Sequence, residues 1–266
     1  MDINYVIACW SGMRRVNPEA YVKDRPVFIR KHLESLGTLK HSLAQITLVV
    51  NKDPNEPPEY REFLNKLPKK IGNAGVELLE RPNEGFSWGG YSHVLDVYGD
   101  RHSYMLLMED DYIFTEDNFD RTLMGGILEG KKMGWLSFVI EHGTKDWIMR
   151  RASSEAPGGR SVAGRVGDVT PEQFSYARIA VGLARTKAML DVKKMFGRLP
   201  HASGANHAEC KFEGQFGLAA AFQKAGWGLG DMVPRRRAKA FSPTGEILTY
   251  GPKEAPLMLV PIQSMV

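Results

Sequence analysis

Two rhythms of apolar residues alternate through the first half of the chain. Tyr5–Cys9 is a short continuous apolar run and predicts a buried strand. Ile29, Leu33, Leu36, Leu39 and Leu43 then recur at helical spacing, with Pro26 near the start, where a missing N–H is harmless. Ile46–Val50 predicts a second strand, rich in β-branched residues, and Asn51-Lys52-Asp53-Pro54 after it is a turn signal. Tyr60, Phe63, Leu64 and Leu67 mark a helix, Val76–Leu79 a strand, and Trp88–Tyr98 a helix. Tyr104–Met108 predicts a fourth strand, Phe119–Leu128 a helix and Trp135–Ile140 a fifth strand. This order predicts an α/β protein with a Rossmann-type, mostly parallel sheet and helices on both faces. Ligands of such sheets bind beyond the carboxyl ends of the strands, so the polar residues there are the candidates.

The second half is less regular. Residues 151–170 are rich in Gly, Ser and Arg and read as a mobile loop, and 199–207 as a second loop. Val181–Leu190 predicts a strand continuing into a helix. Phe212, Phe216, Ala219 and Phe222 mark a helix that stops at Gly226, and a Pro-rich tail from Pro234 is expected to wrap the domain. The expected organisation is one domain: a nucleotide-binding half over 1–141, an acceptor-side half with mobile loops over 142–233, and the tail over 234–266.

Composition adds little. With 266 residues, 43% hydrophobic and 25% charged, the chain fits an ordinary globular enzyme, and disorder is not the default reading. Net charge is +4, with local clusters at Arg235-Arg236-Arg237 with Lys239, and at Arg150, Arg151, Arg160 and Arg165. Either fits phosphate groups or plain solvated surface. Cys9 and Cys210, with no CxxC spacing, suit a reducing compartment. The N-terminus lacks a basic segment, and no apolar run approaches the roughly 20 residues of a membrane span, so a cytoplasmic protein with no integral membrane segment is expected.

The sharpest chemical feature is Glu109-Asp110-Asp111, directly after Met105-Leu106-Leu107-Met108. Carboxylates about 5 Å apart repel by about 3 kcal/mol per pair at an effective dielectric near 20. Protonation, basic neighbours or a bound cation must offset that. If the backbone stays extended, Glu109 and Asp111 point to one side and share a hard cation, Mg2+ or Mn2+. By itself the triplet fits a solvated acidic turn equally well.

An apolar strand ending in this triplet resembles the DXD motif of GT-A-fold glycosyltransferases, with Glu109 in the first position. Cys9-Trp10-Ser11, Val49-Val50-Asn51 and Asn83-Glu84-Gly85-Phe86-Ser87 resemble the strand-end and Asn-x-Gly-x-Ser/Ala segments of family 2-like members. The resemblance implies a GT-A-like fold and a nucleoside-diphosphate sugar donor. It places Trp10, Ser11 and Asn51 near the base, and Asn83 and Ser87 in the nucleotide-sugar site. Asp111 would hold Mn2+ or Mg2+, and Asp110 or Glu109 the ribose or a metal-bound water. The family segment usually continues with an Arg, whereas Gly89-Gly90 stand here.

Glu209 and Glu213 share a helix face. Glu213-Gly214-Gln215 resembles the acidic segment supplying the base of inverting transfer, which makes Glu213 the first catalytic candidate and Glu209 the second. An acidic first turn complementing the helix dipole fits them too. His201, His207 and His142 are further metal candidates by the same resemblance, and the Gly-rich loops at 156–167 and 202–206 are expected to close over the donor. The expected acceptor is a glycan or glycoconjugate, with a modified base in DNA as alternative.

Three other motifs compete. Gly85-Phe86-Ser87-Trp88-Gly89 matches the G-x-S-x-G elbow of α/β-hydrolases, with Asp168 and His201 or His207 in triad order, although Pro82-Asn83-Glu84 separate it from the strand. Gly125-x-x-x-x-Gly130-Lys131 mimics a P-loop, but Lys132 replaces its Ser/Thr. Arg235–Arg237 with Trp227, Phe241 and Tyr250 would suit a non-catalytic nucleic-acid surface.

Overall fold

A computed structural model describes residues 1–11, 15–17, 20–21, 26–137, 140–156, 158–177, 181–200, 207–231, 238–241, 247–250 and 259–261. The chain runs β1 (Ile3–Trp10), β2 (Arg15–Asn17), β3 (Ala20–Tyr21), α1 (Val27–Thr38), β4 (Gln45–Lys52), α2 (Pro58–Asn65), β5 (Lys70–Ile71), β6 (Ala74–Pro82) and α3 (Phe86–Tyr98). There follow β7 (Tyr104–Glu109), β8 (Tyr112–Phe114), α4 (Phe119–Glu129), β9 (Met133–Ser137), β10 (Ile140–Thr144), α5 (Lys145–Glu155), α6 (Gly159–Val169), β11 (Gln173–Ala177), β12 (Gly182–Arg185) and α7 (Thr186–Phe196). The last part holds α8 (His207–Glu209), a π-helical segment (Cys210–Phe216), α9 (Gly217–Lys224), β13 (Gly228–Asp231), β14 (Ala238–Phe241), β15 (Ile247–Tyr250) and β16 (Leu259–Pro261).

Among the described residues one sheet has the strand order β15-β14-β13-β9-β12-β7-β1-β4-β6-β5. β13, β9, β7, β1, β4 and β6 all point the same way, and β12 runs against its neighbours β7 and β9. The predicted α/β architecture is therefore present, with a largely parallel sheet. β1, β4 and β7 are interior and largely apolar on both sides. In β1, Tyr5, Ile7 and Cys9 enter one core while Val6 and Ala8 enter the other. In β7, Leu106 and Met108 join the first and Met105 and Leu107 the second. The strand's period of two sends neighbours to opposite faces. Helices α1, α2 and α4 cover the first face through Ile29, Leu33, Tyr60, Leu64 and Leu123. Helices α3, α7 and α9 cover the second through Tyr91, Val94, Met189, Val192 and Phe222. Each such side chain contributes about 1.5–3 kcal/mol through burial.

Three sequence expectations are corrected. Residues 151–170 are not a loop. α5 and α6 occupy them, turning at Gly158 with φ +68°. Thr144 caps α5 by accepting from the Trp147 N–H. The narrow stripe Ile148, Ala152, Val162, Ala163 and Val166 is buried in the second core, and that tertiary burial outweighs the Gly and Ser content. The first helix stops at Thr38, and Leu43 is buried in the connection to β4 instead. The Trp135–Ile140 run is not one strand: β9 ends at Ser137, and Ile140 opens β10, which pairs with β11 away from the main sheet.

The helix through Phe212 is widened to a π-helix over Cys210–Phe216, directly after α8, a form often found at functional sites. Gly214 lies on it with no room for a side chain: a Cβ there would stand 2.2 Å from Trp88 Cδ1. The π-helical segment is thereby seated directly on the first turn of α3. In the tail, β14 and β15 extend the sheet and β16 pairs antiparallel with β8, while Arg235–Arg237 and the loop at 202–206 lie outside the described residues. No helix among the described residues is long and apolar enough to cross a membrane.

His32, on α1, is fully buried and bonded to the Tyr5 hydroxyl at 2.7 Å and the Asp110 carbonyl at 3.4 Å. A proton on Nδ1 donated to the carbonyl leaves Nε2 to accept from Tyr5. Burial lowers its pKa to about 4 from an ordinary 6.5, against the opposing pull of the Asp110 carbonyl. The unfolded imidazole binds its proton near 6.5, the folded one only near 4. Its contribution is therefore complete above 6.5 and is lost as pH falls towards 4, by up to about 3 kcal/mol. Urea unfolding at pH 7.5 and pH 5 should show a shallower loss on acidification in His32→Asn than in the parent. Gly214→Ala should cost about 1–3 kcal/mol in the same assay, because Trp88 must move.

Candidate functional site

The carboxyl ends of β7, β1, β4 and β6 form one edge, and the sequence candidates Trp10, Ser11, Asn51, Asn83, Ser87 and Glu109–Asp111 lie along it. The order of connection reverses at β1: the chain passes from β1 to β4 to β6 on one side, then returns to β7 on the other. Such a switch point opens a crevice beyond the strand ends. In register, Ala8 pairs with Glu109, Trp10 with Asn51, and Asn51 with Arg81.

Side chains cross-link this edge. The backbone N–H of Ser11 donates to the Asn51 carbonyl at 3.2 Å, and the Ser11 hydroxyl accepts from the Asp53 N–H at 2.9 Å. Asn51 Nδ2 donates to the Phe86 carbonyl at 3.2 Å, and Arg81 Nη1 donates to Asn51 Oδ1 at 2.6 Å. Phe86 sits at φ +51°, directly after Gly85 at +74°. A left-handed bulky residue is strained and persists only where its surroundings hold it. Asn51 holds the carbonyl of that residue at the mouth of α3. Trp10 Nε1 and Asn83 Oδ1 are buried at these strand ends without a hydrogen-bond partner among the described residues. Each costs about 1–3 kcal/mol unless water or a ligand meets it.

Arg81 is the residue sequence reasoning missed. Its guanidinium lies near Gly89, where a Cβ would stand 1.9 Å from the Glu84 carbonyl oxygen and 3.0 Å from Arg81 Nη1, so the tight entry to α3 is what requires glycine. Burial lowers the Arg81 pKa, opposed by Glu84, Asp96 and Cys210. Cys210 heads the π-helical segment, so Arg81 links that segment to the crevice. The available signal was a lone cation ending an apolar strand just before Pro82.

The carboxylates do not continue the strand. β7 ends at Glu109 and the chain turns at Asp110–Asp111, so the shared side expected from an extended backbone is not how they meet. Glu109 accepts from the Ser87 hydroxyl at 2.9 Å. Asp110 is 4% exposed, its carbonyl facing His32. All three still lie around one group: burial, then the charges of Glu109, Asp111 and Asp110, push the buried Tyr91 phenol well above its usual range. Tyr112 is raised by burial, then by Asp111 and Glu109.

Oxygen donors of this kind fit a hard divalent cation. Among the described residues no three His, Cys, Asp or Glu side chains gather in a metal-holding group. His201 lies outside the described residues, as does the side chain of His207. His142 is bonded to Ser175 on the β10–β11 ribbon, with Nδ1 and Oγ 3.0 Å apart. An open set of one or two carboxylates is the form Mg2+ takes when substrate phosphates and water complete its shell.

Glu213 is 4% exposed. Arg165 of α6 donates to its Oε1 through Nε at 3.0 Å and Nη2 at 2.5 Å, and Arg198 Nη2 stands 3.6 Å from Oε2. The Glu213 bond, then the charges of Glu213 and Glu209 against opposing burial, raise the Arg165 pKa. Glu209 is half-buried one turn earlier. The elbow geometry is not met: Phe86 rather than Ser87 takes the strained turn, and Ser87 donates to a carboxylate. Gly125 lies inside α4, so the P-loop mimic is helix.

No family model matches the chain, and no curated protein sequence matches it. Similar solved structures include the CMP:2-keto-3-deoxy-manno-octonic acid synthetase complexed with CTP, at 10% identity and TM-score 0.42, over 75% of this chain and 79% of that one. S. aureus TarS, in its 1–349 form, is similar at 9% identity and TM-score 0.42, over 84% of this chain and 56% of that one. A cytidylyltransferase from Leptospira borgpetersenii is similar at 10% identity and TM-score 0.40, over 73% and 65%. The chain therefore spans just over half the length of the TarS form, and identity at this level assigns it no activity.

Proposed function

We propose that the chain is a metal-dependent glycosyltransferase that takes a sugar from a nucleoside-diphosphate donor to a hydroxyl of a glycan or glycoconjugate. The observation that carries this reading is the convergence of Trp10, Ser11, Asn51, Arg81, Ser87 and the Glu109–Asp111 turn at the switch point of a parallel sheet. Base and ribose would lie over Trp10, Ser11 and Asn51, with Asn83 and Ser87 along the sugar-diphosphate. Asp111 would hold Mg2+ or Mn2+, which neutralises charge on a leaving diphosphate.

In an inverting transfer the acceptor oxygen bonds to the anomeric carbon, the bond to the diphosphate breaks, and a base takes the acceptor proton. Glu213 lies on the π-helical segment seated against α3, and Glu209 lies just before it, at the end of α8. Glu213 would have to break its contacts with Arg165 and Arg198 to receive a proton, and Glu209 also acts on Arg165; we take Glu209 as the base to be tested first and Glu213 as positioning this segment.

Thermal shift with UDP, GDP and dTDP sugars tests the donor. At about a hundred times Kd a bound donor stabilises by about 2.7 kcal/mol. The shift should need Mn2+ and lose that dependence in Asp111→Asn. Stabilisation by none of the three with metal present would sink the reading. Once a donor is found, Glu209→Gln should bind it normally and transfer at least a hundredfold more slowly. Full turnover in that variant would return the base to Glu213.

A further inference from the structure

The arginines that grip Glu213 also form one side of a pocket. It lies between α6, the end of α7 and the π-helical segment, and measures about 230 Å3. Its apolar wall is Val166, Phe196 and Pro200, and its polar atoms come from Arg165, Arg198, Asp168 and Glu213. Two guanidinium groups face two carboxylates, so the charges balance. The next groups out balance as well: Lys224 donates to the Asp168 carbonyl, and Glu209 acts on Arg165. A balanced set offers little to a free ion. It offers donors beside acceptors, which suits hydroxyl groups because each both donates and accepts.

The groups are also held in advance. Arg165 spends one N–H of each nitrogen on Glu213 and Ser161, leaving a second on each Nη. Lys224 stands 5.9 Å from the Phe196 ring centroid and steadies that wall. Fixed polar groups lower the ordering cost of binding. The volume falls below the roughly 300–1,000 Å3 of pockets for drug-sized ligands, which suits one ring and not a nucleotide.

We infer that this pocket is a subsite for one neutral sugar ring, its hydroxyls on Arg165, Arg198 and Asp168 and its C–H face on Phe196 and Pro200. That the ring is the acceptor rests on the proposed transfer; that a ring binds does not. Glu209, one turn from Glu213, would then lie beside a bound hydroxyl.

The full chain, labelled with 15N, can be titrated with D-glucose, D-galactose, N-acetylglucosamine and inorganic phosphate while amide shifts are followed. At least one sugar should give saturable, millimolar shifts at residues 165–169 and 196–200, weakened about tenfold in Arg198→Ala through loss of a charge-assisted hydrogen bond. Phosphate shifting these amides with no sugar doing so would make the pocket an anion site and overturn the inference. Silence from every sugar, or sugar binding unchanged in Arg198→Ala, overturns it as well. A parallel titration with the nucleotide sugars separates the two readings. Sugar shifts here without nucleotide shifts at 10–11, 51, 81–88 and 109–111 would defeat the transferase reading alone, and the converse would defeat only the pocket.

Discussion

The side chains of β1, β4 and β7 alternate between two apolar cores, and every polar feature of the site follows from that double burial. A strand covered by helices on both faces cannot carry an ionised group along its length, because an unpaired buried charge costs several kcal/mol or more. Polar chemistry is pushed to the strand ends. There, the reversal of connection between β1 and β7 leaves an edge that no crossover helix closes. Trp10, Asn51, Arg81 and Glu109 come from four strands, and the ladder register alone brings them together.

The acidic turn after β7 is held from both faces of that sheet. On the α3 side the Ser87 hydroxyl meets the Glu109 carboxylate. On the α1 side the neutral His32 meets the Asp110 carbonyl and is backed by the Tyr5 hydroxyl. Opposite helices thus fix adjacent residues of one turn. The same economy holds around Asn51, which accepts from Arg81 and donates to the strained Phe86. A second layer of control comes from the π-helical segment, whose Gly214 lets it rest on Trp88 and whose Glu213 ties it to α6 and the end of α7.

Strands and helices of the first half are legible because their apolar residues form short runs or keep helical spacing. Val76–Leu79 and Phe119–Leu128 were each found within a few residues of their observed ends. The helices α5 and α6 are not legible, since only one thin stripe of each is buried and many of their other residues are Gly, Ser and Arg. Arg81 escaped notice for a different reason. It meets Asn51 through the ladder register of β4 and β6, which the spacing of neighbouring residues does not show. The π-helical widening left no mark in the periodicity either, because Phe212 and Phe216 keep helical spacing through it.

By itself the sequence determined the period of each strand, hence which residues face which core, and it put carboxylates immediately after a buried strand. Those are local consequences of backbone geometry and hydrophobicity. Only the tertiary structure decided that the chain turns at Asp110–Asp111, that Arg81 reaches Asn51 across the ladder, and that Glu213 is locked between Arg165 and Arg198. These are meetings of residues up to 48 positions apart. Strand order, helix packing and the room left by a glycine fix them, and none of these is written in the spacing of neighbouring residues.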